Sequence, residues 1–223
     1  MTYKFYDDII LPMVITTGNK DGELKMKSNK SQITKEIILE KTLQLVDENE
    51  GIKNVTLRDI AKKVGCAHTN LYNYFGSLSE ILWEAMGQAL IKMINYSRNN
   101  LTFENDPEKD YYLLLSNFID FSLNHIGLYK LIWMESIDGD PSSEVTDIII
   151  NARKEFNKNI MEATRGKLSE ERASFVSHIF FAYLHGESSM WINRTRSMVS
   201  KEDIKTKILS NLQKLFQELV SRK

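Results

Sequence analysis

From Ile33 to Val220 apolar residues return every three or four positions, and the runs tend to open on Ser or Thr and to close on Gly. This is the period of helices with one face to bury and with their ends already marked. Ile38, Thr42, Leu45 and Val46 make the first run, and Gly51 follows it. Thr56 with Asp59, Ser77 with Glu80 and Ser200 with Asp203 have capping-box spacing, in which a hydroxyl accepts a freed backbone N–H and the acid three residues on reaches back. Breakers between the runs are few, 10 Gly and 3 Pro in 223 residues. A sandwich or barrel, which needs a turn after every strand, is excluded on that ground, and an all-α chain is expected.

Hydrophobic residues at 42% and charged residues at 26% exclude a disordered chain. Cys66 is the single cysteine, so neither an intramolecular disulfide nor a Cys-rich zinc site can form, which fits a reducing cytoplasm. Its default role is a small apolar filler, with redox sensing the alternative. No apolar run reaches the roughly 18 residues needed to span a bilayer. The stretch from Ile9 to Ile15 contains Pro12 and lacks a small-residue cleavage site. A soluble cytoplasmic protein without a membrane partner is expected. Enzymes are disfavoured: there is no phosphate-cradling Gly loop, no His-Glu-x-x-His and no Gly-x-Ser-x-Gly, and the four histidines are scattered. His178 and His185 stand two turns apart without the i, i+4 partner a metal would need. No metal and no cofactor are expected.

Three regions follow. Residues 1–27 sustain no helical period, and their four lysines balance four acids. They are either the product of a start placed upstream of Met26 or a true extension, an arm whose Lys25 and Lys27, with Lys30 beyond, would touch phosphates. Residues 28–78 hold three short helices, and residues 79–223 hold a long connecting helix and a larger helical domain.

The segment from Thr56 to Phe75 carries the functional signal. Thr56 opens a helix with Leu57, Ile60, Ala61 and Val64 inward, Gly65 breaks it, and a further helix fits Thr69 to Phe75. Two short helices joined through a Gly turn are a helix-turn-helix, whose second helix can enter a DNA major groove. Leu71 and Phe75 would anchor that helix, leaving His68, Thr69, Asn70 and Asn73 outward. Asn pairs two ways with adenine, and a Thr methyl meets the thymine methyl. Hydroxyls of Tyr72, Tyr74 and Thr56 suit phosphate oxygens, the last at a helix N-terminus that already favours an anion.

At Thr56, Ile60, Ala61, Gly65, Leu71, Tyr72 and Phe75, in order and spacing, the chain resembles the tetracycline-repressor (TetR) family of transcription regulators. The resemblance covers roughly Ile33 to Leu82. It implies that Thr56, Tyr72 and Tyr74 hold phosphates while Arg58, His68, Asn70 and Asn73 lie nearest the bases. Tyr74 departs from the family's usual His, Ala67 from a capping Ser, and Leu78 from a phosphate-binding Lys. Residues 28–76 carry seven cations against six anions, so the electrostatic attraction to DNA is thin and affinity should lean on a dimer.

The resemblance also implies a C-terminal domain that dimerises and binds a small molecule. His125-Ile126-Gly127-Leu128-Tyr129-Lys130 and Ala182-Tyr183-Leu184-His185-Gly186 look like the segments of one subgroup, the second like its aromatic-x-x-His-Gly signature with Phe181 or Tyr183 as the aromatic, depending on register. Ile204, Ile208, Leu212, Leu215 and Leu219 form an apolar stripe, joined by Phe175, Ile179 and Ala182 of the preceding helix. Together these suggest a four-helix bundle about a two-fold axis, the alternative being the subunit's own core. Trp83, Met86, Phe118, Phe121, Trp133, Phe156, Phe180, Tyr183 and His185 are candidates to line a pocket for an apolar or amphipathic effector, and are also ordinary core material. The expected function is a ligand-responsive repressor that binds a palindromic operator on double-stranded DNA as a homodimer. The competing reading is a helical small-molecule-binding or interaction protein of the same fold without DNA recognition.

Overall fold

A computed structural model describes residues 33–195 and 199–221. The expected N-terminal extension and Lys25, Lys27 and Lys30 lie outside them. Among the described residues there are nine α-helices and no strand: α1 (Lys35–Glu48), α2 (Leu57–Val64), α3 (His68–Leu71), α4 (Leu78–Ser97), α5 (Pro107–Asn124), α6 (Ile126–Trp133), α7 (Ser143–Ala163), α8 (Glu170–Met190) and α9 (Lys201–Ser221). None is long and apolar enough to cross a membrane.

Local chemistry sets the boundaries. Thr34, Thr56, Ser77, Asp106, Ser142 and Ser169 each accept a backbone N–H at a helix start. At α2 the box is reciprocal, with Asp59 reaching back to the Thr56 backbone. Gly65 ends α2 in the left-handed region at φ +85°, where a Cβ would be strained.

Three ends differ from the sequence expectation. The sequence predicts a break over Phe103 to Pro107, yet α5 starts there, since Asp106 caps it and Pro107 sits where a missing N–H costs nothing. It predicts a helix over Leu128 to Ser136 entered through Gly127; α6 begins at Ile126 and takes Gly127 into its first turn. It predicts a helix from Ser169 to about Arg196; α8 stays α-helical only to Met190 and widens into a π turn over Trp191–Thr195, and Arg196 lies outside the described residues.

The core runs continuously from Ile38 and Ile60 through Ala85 and Leu115 to Phe180 and Phe216. α4 is its spine: it packs on α1 at one end and on α5, α6 and α7 along its length. α8 and α9 close the far side against α5.

Candidate nucleic-acid interface

α2 and α3 are joined through Gly65, Cys66 and Ala67, and the chain tightens after Leu71 into i→i+3 bonds, Asn73 N–H to Asn70 and Tyr74 N–H to Leu71. The helix expected from Thr69 to Phe75 is thus one α turn from His68 followed by a 3₁₀ turn. So short an element cannot hold itself in place. Leu71, 1% exposed, and Phe75, 3% exposed, fix it to the core, with the Lys35 ammonium 5.0 Å from the Phe75 ring centre. His68, Thr69, Asn70 and Asn73 are exposed, and Tyr72 is 54% exposed. Thr56 and Arg58, at the start of α2, are exposed as well.

Two of the expected phosphate donors are engaged. The Tyr74 hydroxyl donates to the Ile33 carbonyl at 2.7 Å, so it staples the entrance of α1 to the end of the reading segment and is not a free donor. A half-buried phenol beside a backbone carbonyl finds its partner inside the fold. The Thr56 hydroxyl donates to the Asp59 carboxylate while accepting the Asp59 N–H, which leaves it one lone pair and no proton to offer. Lys63 is tied to Glu48 at 2.5 Å, which thins an already slight positive field.

Ala67, in the N-cap position of α3, has extended backbone and makes no side-chain bond. Ala67→Ser supplies the missing acceptor. It is expected to raise stability by about 1 kcal/mol, read as a higher urea midpoint at unchanged slope.

One further contact set reaches this domain from the body, and sequence reasoning missed it. His125, immediately before α6, places Nδ1 2.7 Å from an Asp47 carboxylate oxygen at the end of α1. Just beyond its other end, both Glu135 carboxylate oxygens accept the Ile52 N–H, at 3.1 and 2.9 Å. Between them Gly127 lies against the Val46–Asp47 backbone so closely that a Cβ would stand 2.6 Å from the Asp47 Cα. α6 is therefore a bar held at one end to the last turn of α1 and at the other to the loop that leads to α2. The signal in the sequence was Gly127, whose use as a close-approach residue cannot be told from a turn without the partner backbone.

The residues expected to line one pocket do not all come together. Phe121 lies beneath the clamp, 5.0 Å from the His125 ring. Phe180 is fully buried with Tyr111 and Phe216 at the far end, and Met86 and Phe118 are also core. Tyr183 turns toward α9, where its hydroxyl accepts from Asn211 at 2.8 Å. Trp83 donates to the Asp138 carbonyl at 3.3 Å. Trp133, Phe156 and His185 do come together, with two residues absent from the expected set, Phe181 and Tyr129.

The expected dimer stripe is split as well. Ile204, Ile208 and Leu212 are buried in the subunit's own core between α5 and α8, so they have no area left to give a partner. Leu215 and Leu219 are partly buried against the same core. A stripe on one helix looks the same whichever neighbour covers it. Phe175 at 49% and Met190 at 58% exposure, with Ile179, Ala182 and Gly186 between them, make the uncovered face, on α8.

Fold and surface define a helix-turn-helix protein of the DNA-binding transcriptional regulator class. Residues 38–85 match the family described as "Bacterial regulatory proteins, tetR family", and the N-terminal domain is of that type. The chain is 23% identical over 141 residues to an uncharacterised HTH-type transcriptional regulator, YobS, of Bacillus subtilis (strain 168), covering 60% of this chain and 73% of that protein. It is 29% identical over 112 residues to the nucleoid occlusion factor SlmA of Haemophilus ducreyi, and there it spans 54% of the relative and 49% of itself. Among solved structures it resembles a tetR-family transcriptional regulator from Streptomyces coelicolor, with a TM-score of 0.68 at 12% identity over 85% of this chain and 86% of that one. BioQ, solved with its natural double-stranded DNA operator, aligns with a TM-score of 0.58 at 15% identity, over 86% of this chain and all of that one.

Proposed function

We propose that the chain is an effector-responsive repressor that binds a palindromic operator as a homodimer, residues 28–78 reading DNA and residues 79–223 pairing subunits and binding the effector. The observation that carries this reading is the anchored segment: two apolar side chains sunk in the core, and four short hydrogen-bonding ones exposed without a side-chain bond among the described residues. Surface polar residues are commonplace. A turn-long helix held out by two core anchors, with Asn70 and Asn73 on its free side, is suited to base edges in a major groove.

The subunits would pair through the uncovered face of α8, Phe175, Ile179 and Ala182, setting the two reading segments one helical repeat apart, roughly 34 Å. The clamp gives the response its route. Tyr129 and Trp133 sit on the helix whose ends hold Asp47 and Ile52, so an effector that moves the middle of α6 moves the reading domain. A ligand can shift this equilibrium only by its difference in affinity for the two states. A coupling of about 1–3 kcal/mol lowers operator affinity roughly 5- to 150-fold.

Binding to duplexes selected from a random pool, followed across salt, tests the reading. Asn70→Ala is expected to cost about 1–3 kcal/mol and to relax preference at one base position, whereas Tyr72→Phe weakens all duplexes alike and lowers the salt slope little, since it removes a phosphate donor and no charge. Equal, sequence-blind losses from both would place the groove on another face. No duplex binding even in dilute buffer would favour the small-molecule-binding alternative.

A further inference from the structure

Four rings meet between α6, α7 and α8. Phe181 stacks on His185 with planes 2° apart and centres 5.9 Å apart. Trp133 stands edge-on to both, at 5.1 Å from Phe181 and 5.9 Å from His185, and Phe156 closes on Phe181 at 5.8 Å. All four are only partly buried, unlike the core rings at the far end.

Two N–H groups belong to this box. The Trp133 Nε1–H is shielded from solvent and bonds nothing among the described residues. A buried N–H left unpaired is costly, and an indole N–H can only donate. The second donor follows from Tyr129. Burial pushes its phenol up, so the hydroxyl keeps its proton, and its acceptors on His185 are Nδ1 at 2.6 Å and the carbonyl at 3.5 Å. Donation to the nearer Nδ1 assigns the hydrogen of a neutral His185 to Nε2. Burial also pushes His185 down, which keeps the ring neutral at neutral pH. The box thus offers two N–H groups, apolar walls, and neither a cation nor a carboxylate among its members. An anion would lose its hydration there without a counter-charge, and a cation would face donors.

We propose that this box binds an uncharged effector whose hydrogen-bond acceptor, a carbonyl oxygen on an apolar body, receives the N–H groups of Trp133 and His185. The inference rests on the chain being an effector-responsive regulator, and it adds the chemical class of the effector and the residues that select it.

The test uses the full chain with 15N-labelled indoles and two probes of one shape: acetophenone, and α-methylstyrene, in which a methylene replaces the carbonyl oxygen. Acetophenone is expected to move the indole resonance that vanishes in Trp133→Phe, and to bind about tenfold more tightly than α-methylstyrene. His185→Phe should remove most of that preference, and His185→Gln, which still donates, should keep part of it. Equal binding of the two probes, binding that leaves the Trp133 signal in place, or binding of neither overturns the proposal. Duplex affinity measured alongside separates the two readings. A carbonyl preference with no effect on duplex binding would keep the site and overturn its effector role, and a chain that binds no duplex without any probe would overturn the regulator reading itself.

Discussion

Gly127→Ala is expected to lower the melting temperature by roughly 6–12 °C. The added Cβ would stand 2.6 Å from the Asp47 Cα and 2.7 Å from the Val46 carbonyl carbon, and closer still to the Val46 oxygen. All three are backbone atoms of α1, so no side chain can swing aside. α6 must separate from α1, and the His125–Asp47 and Glu135–Ile52 bonds stretch with it. Overpacking at a rigid site costs about 3 kcal/mol, and in a domain of this size each kcal/mol is about 2–4 °C. Calorimetry of the two proteins side by side checks it. A shift under about 2 °C would mean that the close approach of α6 to α1 is not held in solution. Gly186→Ala is the control, since a Cβ there meets nothing within 4 Å.

Leu71→Ala is expected to remove sequence-specific DNA binding, a fall of about a thousandfold toward the non-specific level, and to cost about 3 kcal/mol of stability. Leu71 is the larger part of what fixes a reading helix only four residues long with no side-chain cap. Without it the outward residues keep their chemistry and lose their register, and an interface of a few paired contacts does not tolerate that loss. Leu71→Met, which conserves volume, should keep binding within a few fold at a cost under about 1.5 kcal/mol. Full-strength binding by the alanine variant would show that Phe75 and the Tyr74–Ile33 bond suffice to place the segment.

The two substitutions probe the two levels at which this chain is written. The reading helix was legible from residue order: a capping box at Thr56, a left-handed Gly65 and the inward pair Leu71 and Phe75 all act within a turn or two of themselves. The clamp was not, because it depends on a helix meeting a loop some eighty residues away. Gly127 and Glu135 carry no mark in the sequence that says which backbone they will touch.

The same division sets what each side chain is left free to do. Tyr72 and Tyr74 differ by two positions and look alike as phosphate donors, yet one is 54% exposed and the other is tied to Ile33. Phe121, Phe180 and Phe156 look alike as pocket residues and end in three separate clusters. Ile208 and Ile179 look alike as interface residues, and only Ile179 keeps area on an uncovered face.

Residue order by itself determined the helices, their caps and the inward and outward sides of the reading segment, because propensity, capping and apolar period act over three or four residues. Which apolar stripe faces the core, which faces outward, and which polar groups are already satisfied were decided only when the helices packed, because burial and hydrogen-bond partners belong to pairs of elements and not to either one alone.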